Sequence, residues 1–279
     1  MAVVLILLEA LVISVGNVLG GVSAQRIPLA RVIALAGVTS VVFAVLFALL
    51  LPGVPTERGI VIGFAAGVVG GLGLPVAYVA YARGPVGVVG ATIALTVSAL
   101  IAVFGIATGE QVTPFRVTGL VLCAVAVVLV THQPRATRIS ARGGVAMAIL
   151  AAVLFAAFVI LINAAPAEDG MWPLVGARLG VAGVGLVALA AWRVRRGAVS
   201  GSPGRLVLLP ILVGFLDVLG NLLLVLALAV GDLLLVAVLA PAAPVMTALI
   251  GRLFLGQSLH RWQLAGLVVS VIALPFASF

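Results

Sequence analysis

No lysine occurs in these 279 residues, so all 15 basic side chains are arginines. Without lysine there is no phosphate loop ending in that residue and no lysine Schiff base. ATP binding by that motif and pyridoxal chemistry are therefore excluded. Charge of either sign is scarce, at 8% of residues. A soluble domain of this length could not cover its surface with so few charges, so lipid must cover it instead. Cysteine is reduced to Cys123 alone, which excludes an intramolecular disulfide and a thiolate metal cluster. His132 and His260 lie far apart in sequence with no metal-ligating neighbour, and no Gly-x-Ser-x-Gly elbow occurs. No catalytic residue, metal or cofactor is expected.

What is there is apolar: 65% of the chain. The apolar residues form stretches of roughly 18–25 residues, the length a helix needs to cross about 30 Å of hydrocarbon. Turn and charge signals divide the chain into ten such segments, at about 2–24, 29–51, 59–82, 85–108, 114–132, 143–165, 173–192, 205–229, 232–254 and 260–278. The connections are short, which makes successive helices antiparallel neighbours. The first segment has no basic start and carries Glu9, so it reads as a retained helix and not a signal peptide. The formal charge of +8 is spread singly or in short groups between spans. It therefore reads as a topology signal and not as a nucleic-acid surface.

The chain also repeats. A shift of 147 residues lays Gly67 on Gly214, Leu72-Gly73 on Leu219-Gly220, Gly84 on Gly231, Gly109 on Gly256 and Gly119-Leu120-Val121 on Gly266-Leu267-Val268. Pro28-Leu29 and Pro173-Leu174 open the second and seventh spans, with Arg31 and Arg178 a few residues in. A five-span repeat crosses the membrane an odd number of times, so the second copy must be upside down. The expected fold is thus all-α, with ten transmembrane helices as two inverted five-helix repeats, 1–138 and 139–279, around a central cavity. Secondary transporters build alternating access on such inverted repeats.

Gly84-Pro85-Val86 opens the fourth span, Gly109-Glu110 closes it, and the fifth begins between Pro114 and Gly119. Gly231-Asp232, Pro241, Pro244, Gly256-Gln257 and Gly266 repeat the scheme. In these features the chain resembles EamA-type members of the drug/metabolite transporter superfamily. The resemblance implies a cavity between the two copies, cytoplasmic termini, and amino acids, metabolites or drugs as solutes, often moved outward. Two positions depart from the family pattern. The first span keeps Gly16-Asn17 without the usual tryptophan-glycine pair, and Gln257 stands where a second acid is usual.

Polar residues inside spans are the candidate site. Asp217 falls near the middle of the eighth span, where a charge costs about 2.5–3.5 kcal/mol on insertion scales and persists mainly beside a cavity or a partner. Gly214, Asp217 and Asn221 share a helical face. Asp217 with Asn221 is the first candidate for substrate or proton binding, and exchange of a proton at Asp217 is the expected coupling step. Glu9 with Asn17 is the second, on one face of the first span with Gly16 and Gly20. Asn163, Thr92, Thr96 and Ser98 are weaker, because hydroxyls in such helices commonly bond to their own backbone. Tyr78 and Tyr81 read as interfacial aromatics. The glycine row Gly63, Gly67, Gly70, Gly71 and Gly73 reads as a close-packing face. Pro241 and Pro244 should kink the ninth span. Ala229-Val230-Gly231-Asp232 brushes against an intramembrane aspartyl protease motif but lacks its first glycine.

The expected wall of the cavity is the first, third, fourth, sixth, eighth and ninth spans. The expected function is secondary transport, with export as the direction. The alternative is a non-transporting membrane subunit whose polar residues are structural. Expected partners are a small-molecule substrate, protons, the lipid bilayer and a second copy in a homodimer, with no nucleic acid. The expected location is a prokaryotic inner or plasma membrane, spanned many times. Counting arginines by alternate loops puts Arg26, Arg31, Arg83, Arg135, Arg138, Arg142, Arg193, Arg195, Arg196, Arg205, Arg252 and Arg261 on one side. Arg58, Arg116 and Arg178 fall on the other, with Glu57, Glu110, Glu168, Asp169 and Asp232. The positive-inside rule then puts both termini outside the cytoplasm, against the orientation the resemblance implies.

Overall fold

Long apolar segments in lipid must satisfy their own backbone polar groups, and helices do this within one segment. The computed structural model describes residues 1–24, 26–83, 86–131, 141–196, 207–239, 242–255 and 261–277. Its elements are α1 (Ala2–Ala24), α2 (Leu29–Leu50), α3 (Glu57–Arg83), α4 (Val86–Ala107), α5 (Pro114–Thr131), α6 (Ala141–Asn163), α7 (Trp172–Arg196), α8 (Leu208–Val230), α9 (Leu233–Leu239), α10 (Ala242–Leu255) and α11 (Arg261–Ala277). There is no strand among the described residues. Within α1, α2, α3, α6, α7 and α8 lie stretches long and apolar enough to cross a membrane, and Thr92–Ala107 and Pro114–Leu129 are shorter apolar stretches. The protein is an integral, multi-pass membrane protein. The expected ninth span corresponds to α9 and α10, on either side of 240–241. Pro241 lies outside the described residues, as do Gly84, Pro85, His132, Arg135, Arg138, Arg205, Gly256, Gln257 and His260.

Size is distributed inside out. Leucine and valine stand exposed along the outer faces, as at Val38, Val42, Leu46 and Leu49 of α2, while alanine is the commonest buried hydrophobic residue, as at Ala10, Ala44, Ala66, Ala80, Ala148, Ala152 and Ala156. Hydrocarbon gives no hydrophobic drive for helices to associate, so small residues that let backbones approach supply the adhesion. The contact of α3 with α7 takes this furthest. A Cβ on Gly63 would overlap the Pro173 carbonyl, and one on Gly67 the Ala177 carbonyl; Gly176 and Gly180 meet α3 the same way. These contacts advance together in number, so α3 and α7 run parallel. The other face of α3 meets α6, with Gly70 against Phe158 and Gly73 against Phe155. The glycine row is a packing surface on both sides.

Equivalent contacts join the other helices. Gly214 of α8 presses on Ala36 and Thr39 of α2, and Gly220 of α8 on Ile13 of α1. Gly37 of α2 lies on Ala182 of α7. Ser98, expected to bond its own backbone, instead donates to the Ala237 carbonyl and ties α4 to α9. Odd-numbered helices up to α9 start at one end of the bundle, and α2, α4, α6, α8 and α11 start at the other. The first end carries Glu57, Glu110, Glu168, Asp169 and Asp232 with Arg58 and Arg116; the second carries more arginines, among them Arg26, Arg31, Arg83, Arg142, Arg193 and Arg261.

The acidic end is tied shut. Val54 N–H donates to the Glu168 carbonyl at 3.1 Å. Thr56 Oγ1 donates to Asp169 Oδ2 at 2.6 Å and accepts from Gly59 N–H at 3.0 Å, capping α3. Gly170, at φ +58, lets its loop lie directly on Pro52, where any side chain would collide. At the start of α9, Glu110 accepts from Leu233 N–H at 2.9 Å and Leu234 N–H at 2.7 Å. Asp232 accepts from Leu235 N–H at 2.8 Å and from Arg116 at 2.7 Å. Both oxygens of Asp232 are therefore engaged in capping and pairing, a structural role. Glu110→Ala removes two capping acceptors and should cost about 1–2 kcal/mol. A lowered thermal unfolding midpoint in detergent checks this, with Glu110→Gln expected to lose less; an unchanged midpoint would rule out the cap.

Candidate functional site

Small residues on facing helices, Gly16 and Gly20, Ala36 and Gly37, and Gly70, leave a gap between them. A cavity of about 270 Å³ lies between α1, α2, α3, α6, α7 and α8. Its wall takes Gly16, Asn17 and Gly20 from α1, Ile33 and Ala36 from α2, and Leu74 and Tyr78 from α3. Phe155 and Phe158 come from α6, Arg178 and Val181 from α7, and Val213, Asp217 and Asn221 from α8. This corrects the expected wall: among the described residues α2 and α7 line the cavity, and α4 and α9 do not. The reason is packing. α4 and α9 are drawn together by the Ser98 bond, and every residue of α9 is buried. The glycines of α3, meanwhile, pull α7 inward.

Depth follows from helix direction. The α1, α2 and α3 residues lie between the middle of their helices and the arginine-rich end, and Asn17 and Tyr78 on that side are exposed. The cavity thus opens toward that end, and its floor lies at mid-span. On the floor Arg178 Nη1 donates to Asp217 Oδ2. Asn221 Nδ2 donates to the Asp217 carbonyl at 2.8 Å and to Asp217 Oδ1 at 3.3 Å. The Arg178 side chain is only 3% exposed, against 39% for Asp217. The carboxylate therefore faces the cavity while the guanidinium stands behind it.

Asp217 and Asn221 of the first candidate pair and Asn17 of the second all line this space. Glu9 does not line it: it sits one turn beyond Ile13, partly buried, with no hydrogen bond or ion pair among the described residues. Asn163 is exposed at the end of α6, outside the wall. Tyr78, expected at the interface, is a cavity residue. The largest omission is Arg178, which loop counting treats as a topology signal. It lies six residues into α7, about 9 Å below the helix start, and is buried. The signal was present, since an arginine that far inside a span needs a carboxylate partner.

A buried ion pair at mid-span, opening into a space large enough for a small solute and closed at the opposite end, suits a solute carrier. Residues 142–279 match the family model described as the EamA-like transporter family. This second part of the chain belongs to the EamA-like transporter family. EamA-like proteins are transporters of the drug/metabolite kind and not enzymes. The same part of the chain contains Arg178, Asp217 and Asn221, so the ion pair lies wholly inside the EamA-like region. No curated protein matches the chain. A solved structure named only as "Crystal structure of protein" superposes on 100% of this chain and 98% of its own, with a TM-score of 0.79 and 18% identity. That likeness is one of fold, and it covers the whole chain, α1–α5 included.

Proposed function

We propose that this protein is a secondary transporter that carries a small solute out of a prokaryotic cell by alternating access, from a site built on Asp217, Asn221 and Asn17. The observation that carries this reading is the mid-span cavity, open at one end and tied shut at the other. The architecture proposed is two inverted repeats, 1–138 and 139–279. Matched glycines with matched roles support it: Gly67 seats α3 on α7 as Gly214 seats α8 on α2, and Gly73 seats α3 on α6 as Gly220 seats α8 on α1. Such exchange of partners is what a twofold relation between the two copies would produce. Arg178 already supplies the counter-charge that a bound proton would supply, so the solute and not a proton is proposed as the ligand of Asp217.

The open end is the arginine-rich one, which the positive-inside rule assigns to the cytoplasm. A carrier resting open to the cytoplasm is poised to load there, in keeping with export. A fluorescent-protein fusion at Phe279 should be dark and a phosphatase fusion active, since both termini then lie outside. Cytoplasmic fluorescence would reverse the orientation and with it the direction. Transport itself is read from vesicles loaded with a mixture of cytosolic metabolites. Wild-type protein should release a subset within minutes, as followed by mass spectrometry of the retained pool. A pool identical to that of protein-free vesicles would sink the carrier reading and leave a non-transporting subunit.

A further inference from the structure

We infer that the arginine-rich end is a docking surface for anionic phospholipids. Their phosphates are held by Arg26 in the turn before α2, Arg83 at the end of α3 and Arg193 near the end of α7.

The charge of this end has no counterpart within the protein. The chain has seven acidic residues. Glu57, Glu110, Glu168, Asp169 and Asp232 lie at the opposite end, and Glu9 and Asp217 lie inside spans. No carboxylate side chain is left for the arginines here. The acidic end differs, because there Arg116 pairs with Asp232, while Glu110 and Asp169 accept hydrogen bonds from neighbouring segments. Arg26, Arg83 and Arg193 are exposed, and none has an ion pair or side-chain hydrogen bond among the described residues. Like charges gathered at one end repel, so their neutralisation needs an anion from outside the chain.

Packing brings the three together, since α7 touches both α2 and α3. Gly37 of α2 faces Ala182 of α7, and Gly185 of α7 faces Ile33 and Ala34 of α2, so these two helices run antiparallel. Followed to the helix ends, that register brings Arg26 level with Arg193. The parallel register of α3 on α7, Gly67 with Ala177 and Gly71 with Val181, brings Arg83 within about a turn of the same level. Neighbouring helix axes lie about 8–10 Å apart, a gap that two extended arginines can close around one phosphate.

Depth identifies the partner. Aromatic rings with a polar tip gather at the headgroup level of a bilayer. Tyr81 stands two residues before Arg83, Trp192 directly before Arg193, and the exposed Trp262 directly after Arg261. The arginines of this end therefore stand at the depth of lipid phosphates, whose oxygens suit the planar guanidinium fork. A zwitterionic headgroup brings an ammonium with its phosphate and leaves the excess charge in place, whereas an anionic one removes it. A lipid also brings acyl chains for the exposed Leu186 and Val187 of α7 and Val79 of α3. A soluble phosphate has none.

The test titrates the purified full chain, in neutral detergent, with dioleoylphosphatidylglycerol or dioleoylphosphatidylcholine. The two share acyl chains and differ in net charge. The glycerol lipid should raise the thermal unfolding midpoint at concentrations at least about tenfold below those the choline lipid needs. Sodium chloride at about 0.5 M should remove most of that difference, because it screens charges beyond a few ångströms. Arg26→Gln, Arg83→Gln and Arg193→Gln together should weaken the glycerol lipid by about tenfold and leave the choline lipid unchanged. Arg58→Gln, at an exposed arginine of the acidic end, should change neither. The salt measurement is made on the wild-type chain, so it decides even where the triple variant does not fold. Equal response to the two lipids, a difference that survives the salt, or full preference in the triple variant would each overturn the inference. Glycerol phosphate matching the whole lipid would reveal a site for soluble phosphate and overturn it as well.

Discussion

Gly67→Val is expected to leave almost no folded protein. The added carbons would occupy the space of the Ala177 carbonyl and Cα on the parallel helix α7. A helix backbone cannot give way as a flexible side chain can. Overpacking of this kind commonly costs about 1–3 kcal/mol, and a backbone collision repeated at Gly63, Gly176 and Gly180 puts this site at or above the top of that range. Gly67→Ala should already lower the unfolding midpoint by several degrees. Gly183→Ala and Gly143→Ala are the controls, since a Cβ there meets nothing within 4 Å. Size-exclusion profiles of fluorescent fusions separate the outcomes. A monodisperse Gly67→Ala protein with an unchanged midpoint would mean that α3 and α7 do not touch as described.

Asp217→Asn should reduce solute release from vesicles to the protein-free background and also lower stability. It leaves Arg178, 3% exposed, facing a neutral amide. Removing one member of a buried pair typically costs about 3–5 kcal/mol, and the lower end applies here because Asp217 opens into the cavity. Arg178→Gln should be similarly harmful from the other side. The double variant removes both charges, so it should recover much of the stability while still failing to transport. That pattern distinguishes a pair kept for binding from one kept for cohesion. If Asp217→Asn releases solutes at the wild-type rate, Asp217 is structural and the site lies elsewhere. Glu9→Gln should have the smaller effect, because Glu9 lies outside the cavity wall.

The spans were legible for a simple reason: hydrophobic length is a local property, and so are the glycines and prolines that punctuate it. Asp217 was legible for a related one, since a charge in the middle of an apolar run costs energy wherever the run is placed. Arg178 was legible only in its depth within the span, because loop counting measures distance from span ends and says nothing of what stands opposite. Its partner is 39 residues away on another helix. Glu110 could be read as closing the fourth span, but not as capping a helix 123 residues later.

Composition by itself determined that this chain lives in lipid, as helices, packed through small residues, without ATP-binding or pyridoxal chemistry that needs a lysine. Each of those conclusions follows from a free energy that depends on one segment and its solvent. Only the tertiary structure decided which helices surround the cavity, which end is shut, and that a buried arginine stands behind the aspartate. Those depend on where backbones can approach, and the pairing of glycines on α3 with carbonyls on α7 is a property of two helices together.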